Sequence, residues 1–337
     1  APFPFGLPIP TAVYLGLYLF TLAIHFVLIS YVVIGTTWVV ICSFQTRSTE
    51  PAQLSIADMI RDWLPFALGT AITAGVAPLL FIQVLYMKYF YTANLLLFHR
   101  WMAIVPVLIV AFSLLYFLKR PRLPRAAQII VPVVILLCFL FVALSWTENH
   151  LLSLDSTSWP QLYESKAMRY AHPLIPLRLA MWIAAAVPMF CTLVGWQAIA
   201  AQRRGQPIST RGLKLLPWIA LFGMIVAGLC AWRYFALSGF TIHRLIWGPF
   251  TGMHVALGLF GVILQVIAWI VVIRRSSMNA IALTAASIGV LLSLMAALVC
   301  RELIRLGSLD LGEVNQRIAQ ISTHGGSIAF AVSFVIS

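Results

Sequence analysis

Arg301, Glu302 and Arg305 fall within one helical turn at the end of an apolar run, in AALVCRELIRLGSLDLGE (296–313). Charge is costly in lipid, so an ionisable residue at such a place is by default a candidate functional group. Arg301 and Arg305 are four residues apart and Glu302 and Arg305 three apart, so all of them can share one helix face. Two chemistries suit the trio. One is an interfacial salt bridge. The other makes Glu302 a metal ligand or proton carrier, with the guanidinium forks pairing the carboxylates of a bound group.

The next candidates are span histidines. His25 stands alone in LAIHFVLISYVVIGTTW (22–38), an otherwise apolar stretch. Imidazole is a common axial ligand to haem iron, and the alternative is a hydrogen bond to a neighbouring helix. His254 lies in GMHVALGLFGVILQ (252–265), where Gly252, Gly258 and Gly261 leave room for a flat macrocycle or for a second helix. Met181, in LRLAMWIAAAVPMF (177–190), offers a thioether that either ligates haem iron or fills a packing gap. His99 and Arg100 open another apolar run in LLLFHRWMAIV (95–105), as ligand or as interfacial residues. His324 precedes Gly325 and Gly326 in a similar setting, whereas His150, His172 and His243 read as solvated loop residues. The five cysteines form no CxxC or CxxCH, which excludes covalently attached c-type haem in this chain and argues for small buried apolar side chains.

The elements that position these residues follow from composition. Of 337 residues 62% are hydrophobic and 9% charged, and the mean hydropathy is +0.98. Soluble domains carry roughly 25% charged residues. Apolar runs of about 20 residues, the length that crosses a bilayer, recur without the alternation of a β-barrel. The expected fold is an all-α polytopic membrane protein, a single domain over 1–337 with nine transmembrane helices near 11–43, 65–90, 97–118, 127–147, 174–201, 213–237, 248–273, 279–304 and 317–337. The first run is too long and too apolar for a cleavable signal peptide and reads as a true span. The net charge of +13 collects in loops 119–125, 202–214 and after span seven, which share one face by parity. That is topology, not nucleic-acid binding, and it makes the face cytoplasmic, with the N-terminus outside and the C-terminus inside. Every histidine then lies at mid-membrane or further out, and any cofactor layer lies near the outer surface.

In this order the features resemble the large subunit of cytochrome bd-type terminal oxidases. That family has nine spans, and its first carries a haem-ligating histidine in a pattern like His-Phe-Leu-Phe-x-Pro-Leu-x-x-Gly. His25 and Phe26 match it, and Gly35 comes one position late. The family's eighth span ends in Gly-Trp-x-x-x-Glu-x-Gly-Arg-Gln-Pro-Trp, and CRELIRLGS keeps the Glu-x-x-Arg spacing as Glu302 and Arg305. FALGTAITAG (66–75) resembles the second span, and His99 overlays a position where the family has an acid. The family's low-spin haem has histidine on span five and methionine on span seven; Met181 and His254 would be that pair exchanged. The chain departs from the family in lacking the Gly-Arg-Gln-Pro-Trp tail, the Gln-Phe-Gly-Thr-Asn-Trp motif, the acidic residues of span three and the long quinol-binding loop, replaced by a short link near 238–247.

The resemblance implies an integral membrane subunit of a bacterial respiratory oxidoreductase in the inner membrane. It implies one or more haem b groups and admits haem d. His25, Glu302, His254 and Met181 are the expected iron ligands, with His99 also at the cofactor and Arg301 and Arg305 at the haem propionates. Partners would be other membrane subunits, with quinol or a periplasmic cytochrome c as electron donor and oxygen as candidate acceptor. The rival expectations are a non-catalytic electron relay and a cofactor-free membrane anchor or transporter.

Overall fold

The apolar runs fold as helices because, in lipid, every backbone N–H and C=O must find its partner within the segment. The computed structural model describes residues 8–45, 55–120, 123–206, 208–238, 240–275 and 277–323. The helices are α1 (Ile9–Ser43), α2 (Ile56–Leu85), α3 (Met87–Leu96), α4 (Phe98–Leu118), α5 (Arg125–Leu154), α6 (Trp159–Ser165), α7 (Leu174–Arg203), α8 (Thr210–Ala236), α9 (Phe240–Ile246), α10 (Pro249–Arg275), α11 (Ala280–Ser308) and α12 (Leu311–Thr323). Among the described residues eight are long and apolar enough to cross a membrane: α1, α2, α4, α5, α7, α8, α10 and α11. They correspond to the first eight expected spans. The ninth, 317–337, falls mostly outside the described residues, as does His324. The described part of that region is α12, which begins earlier and is amphipathic, with Val314 and Ile318 buried and Glu313 paired with Lys88 at 2.9 Å.

Local chemistry sets several boundaries. The Ser55 hydroxyl accepts the Asp58 amide and caps α2, and the Asn279 side chain caps α11 by accepting the Ile281 amide. The chain leaves helical geometry at Tyr86 (φ −127°, ψ 34°) and again at Leu97 (φ −102°, ψ 27°), which isolates the short α3 between two spans. The helix α5 runs to Leu154, two turns past its expected end at 147, because its polar residues find partners inside the protein.

The antiparallel pairs α1/α2, α7/α8 and α10/α11 carry the closest packing, and α1 also touches α5, α7, α11 and α12, which makes it the central helix. The spans alternate in direction, so the bundle has two ends. The exposed Lys119, Arg120, Arg125, Arg203, Arg204, Arg274 and Arg275 lie at one. Glu302 and its partners lie at the other, called here the site end.

Two of the three α10 glycines, Gly258 and Gly261, face a neighbouring helix, whereas a Cβ on Gly252 would meet only the Trp247 carbonyl oxygen at 4.0 Å. A Cβ on Gly261 would meet the Gly289 carbonyl oxygen at 2.6 Å, and a Cβ on Gly258 would meet the Ala296 Cβ at 2.6 Å. The α10 and α11 backbones therefore touch through small residues, the usual way membrane helices approach closely. Gln265 reinforces the contact by donating to the Ser293 hydroxyl at 3.0 Å.

A Gly289→Val substitution should lower stability by about 1–3 kcal/mol through overpacking. Gly228→Val, at an α8 position with open space around it, is the control and should have little effect. Thermal unfolding of both variants in detergent checks this, and equal Tm values would refute the close α10–α11 contact.

Candidate functional site

Glu302 is completely buried near the end of α11. The Tyr86 hydroxyl donates to its Oε1 at 2.5 Å. Arg305 Nη1 lies 3.3 Å from both carboxylate oxygens, and Arg301 Nη1 donates to Oε2 at 3.2 Å. The Tyr18 hydroxyl of α1 accepts from Arg301 at 2.9 Å and from Arg305 at 3.2 Å. The Arg305 guanidinium also lies over the Tyr86 ring, 4.7 Å from its centroid. The break in helical geometry after α2 thus has a consequence here, since it presents Tyr86 to α11.

Behind Arg305 stands a histidine that reads from sequence as a solvated loop residue. His150 is only 6% exposed, because α5 continues through it. Its Nδ1 faces Arg305 Nη2 at 2.6 Å. A guanidinium can only donate, so Nδ1 accepts and the imidazole proton sits on Nε2. That Nε2 is buried without a hydrogen-bond partner. Neighbouring Glu148, also fully buried, forms ion pairs with Arg100 Nε at 3.3 Å and Arg169 Nη2 at 3.4 Å. Asn149 donates to Asn94 Oδ1 at 2.6 Å, so three successive polar residues of α5 are engaged with other elements.

Arg169 lies on the segment between α6 and α7, which the Tyr170 hydroxyl ties to Asp155 Oδ2 at 2.7 Å. Burial would raise the Asp155 carboxyl pKa, but the hydroxyls of Ser158, Thr157 and Tyr170 together hold it below its ordinary value. A second guanidinium that the sequence reading did not single out, Arg178 of α7, is 3% exposed and donates to the Tyr234 hydroxyl of α8 at 3.1 Å. Its one signal was a cation four residues into an apolar helix, in LIPLR.

The other candidates are spread along the bundle. His25 lies seven residues beyond Tyr18 on the same face of α1, about 10 Å further along the axis. Its Nδ1 is 3.0 Å from the Ala71 carbonyl of α2. A carbonyl only accepts, so Nδ1 carries the proton and Nε2 keeps its lone pair. A Cβ on Gly75 would come within 2.9 Å of the ring, so that glycine lets the imidazole lie against α2. His254 of α10 has the same tautomer for the same reason, its Nδ1 lying 2.8 Å from the Phe250 carbonyl. Met181 is half-buried one turn beyond Arg178, beside Trp182, whose ring packs on Phe26 at 5.2 Å. His99 is exposed on α4 against Phe98. The structure therefore brings Glu302, Arg301 and Arg305 together; His25 and Met181 flank the Phe26–Trp182 ring contact, and His254 and His99 lie on α10 and α4.

His172 and His243 are also held within the protein: the Nδ1 of the first accepts the Leu174 amide, and the Nε2 of the second donates to the Phe235 carbonyl. All five cysteines are free. Among the described residues no three His, Cys, Asp or Glu side chains converge as a metal-binding group. A haem iron needs only one or two protein ligands, so that criterion does not bear on haem.

Replacing Glu302 with Ala would leave buried guanidinium groups without their carboxylate and should cost about 3–5 kcal/mol. Tyr86→Phe removes one hydrogen bond to a charged group and should cost about 1.5–3 kcal/mol. Unfolding of the two variants in detergent should rank them in that order. A Glu302→Ala protein as stable as the native chain would show that the carboxylate does not hold this end together.

Comparison with protein-family models, with curated proteins and with solved structures finds no match to this chain, so a functional reading stands on the geometry above.

Proposed function

We propose that this chain is a haem-binding, electron-transferring subunit of a multi-pass membrane oxidoreductase, similar in plan to the large subunit of cytochrome bd-type oxidases. The observation that carries the reading is the state of the two span histidines. His25 and His254 each spend Nδ1–H on a helix carbonyl and keep an Nε2 lone pair. A ligating imidazole is held in this way, with the second nitrogen fixing its tautomer and its plane.

A bound b-type haem would supply reversible one-electron exchange at its iron. The chain's own part is to hold and orient it. His25 is the first candidate axial ligand and His254 the second, with Met181 a further thioether. Arg301 and Arg305 would face the acidic groups of the macrocycle. For Glu302 the geometry favours counter-charge over iron ligation, because Tyr86, Arg301 and Arg305 already occupy both of its oxygens. His99, exposed on α4, has no part in this arrangement.

With the basic loops on the cytoplasmic side of a bacterial inner membrane, the site end faces outward. Quinol or a periplasmic cytochrome c would then deliver electrons there, in a complex with other membrane subunits. The rival reading, a transport path, finds little in the buried polar side chains of the spans: Ser30, Thr36 and Thr192 donate to carbonyls of their own helices and Gln265 donates to Ser293.

Chain purified from membranes should show a Soret band that survives detergent, a b-type pyridine haemochrome and at least one iron per chain. His25→Ala should remove part of that band. A colourless preparation, or an unchanged spectrum in both His25→Ala and His254→Ala, would refute the reading.

A further inference from the structure

The site end holds more buried positive charge than its carboxylates neutralise. Arg301 and Arg305 share the Tyr18 hydroxyl and the Glu302 carboxylate, Arg305 also bonds His150, and Arg178 lies near enough for its charge to be felt at His150. Arg305 is 1% exposed, Arg178 is 3% exposed, and the Arg301 side chain is 14% exposed. Glu302 pairs with Arg301 and Arg305. The hydrogen-bond partner of Arg178 is Tyr234, whose ring also lies 5.7 Å from the guanidinium, and a neutral phenol cancels no charge. The nearby acid Glu148 is committed to Arg100 and Arg169. Three guanidinium groups against one carboxylate leave a formal charge of +2. Burial of uncompensated ions costs several kcal/mol each, so a stable fold needs anions here.

The second observation is independent of charge counting. Arg305 fixes the His150 tautomer, so Nε2–H is a donor, and it is buried with no acceptor. An orphaned buried donor costs about 1–3 kcal/mol. An excess of two positive charges and an unused N–H at one place ask for the same thing, a ligand that brings negatively charged acceptor oxygens.

We propose that His150 and Arg178, together with Arg301 and Arg305, form a buried seat for a ligand bearing two carboxylates. The proposal rests on the functional reading above, in which the two acid arms are the propionates of the haem. It adds His150 and Arg178 as the residues that distinguish the acid arms from neutral ones. The imidazole is neutral and contributes a directed hydrogen bond, whereas Arg178 contributes charge.

The test uses the native chain, stripped of bound pigment in detergent and titrated by Soret absorbance with iron protoporphyrin IX or with its dimethyl ester. The ester keeps the macrocycle and the iron and lacks both acid groups. The diacid should bind tighter by about tenfold or more, the scale of losing charge-assisted hydrogen bonds. Arg178→Leu and His150→Phe should each shrink that preference, chiefly by weakening the diacid. Equal affinity of the native chain for the two compounds would overturn the seat while leaving the haem reading intact. A preference that both variants retain in full would remove His150 and Arg178 from it. If neither compound binds, the haem reading fails and the seat fails with it.

Discussion

The Glu302 carboxylate, enclosed with two guanidinium groups and a phenol, is the interaction on which the site end depends. Glu302 and Arg305 are shielded from bulk solvent, so their stabilisation comes from side chains, several of them on other helices. The partners come from α1 through Tyr18, from the break after α2 through Tyr86, and from α5 through His150 behind Arg305. A pair within α11 alone would order nothing beyond itself. Because its partners are shared, the carboxylate links α11 to Tyr86 directly, to α1 through the arginines on Tyr18, and to α5 through Arg305 on His150. Tyr86 reaches Oε1 only because the chain leaves the helix at that residue, and α5 keeps its helical turns past 147 only because its polar side chains are used.

How much was legible in the sequence follows from where each signal resides. Crossing a bilayer is a property of composition over about 20 residues, so the existence of eight spans could be read, whereas some ends could not: α2 begins nine residues before its expected start at 65 and α5 ends seven residues after 147. The Arg301–Glu302–Arg305 trio was legible because its spacing lies within one helix. The end of α5 was not. Glu148, Asn149 and His150 look like a solvated loop, yet their partners include Arg100, Asn94 and Arg305, which no local pattern connects to them. The same limit hid the pairing of Arg178 with Tyr234, two residues on different spans.

The glycines and histidines show the other side of this limit. Gly258 and Gly261 signal that something approaches α10 closely, but only the position of α11 decides that it is a helix. A lone span histidine signals that a partner exists, and the Ala71 carbonyl supplies one for Nδ1 of His25 while saying nothing of Nε2. Residue type sets what a group can bond, tertiary placement sets what it does bond, and the unspent capacity that remains is where a functional reading has to begin.

Net charge illustrates the same point on a larger scale. The formal +13 reads as one number, yet it includes two groups of arginines with different physics. Arg120, Arg125, Arg203, Arg204, Arg274 and Arg275 are exposed at one end, where solvent screens them and their main effect is on orientation. Arg178 and Arg305 are buried at the other end, with Arg301 mostly so, and the potential they create there is screened little. A positive potential of this kind attracts anionic groups and repels cations. It therefore disfavours any path that would carry a metal ion or an ammonium group through the site end, and it is compatible with a group that brings its own negative charge into the membrane.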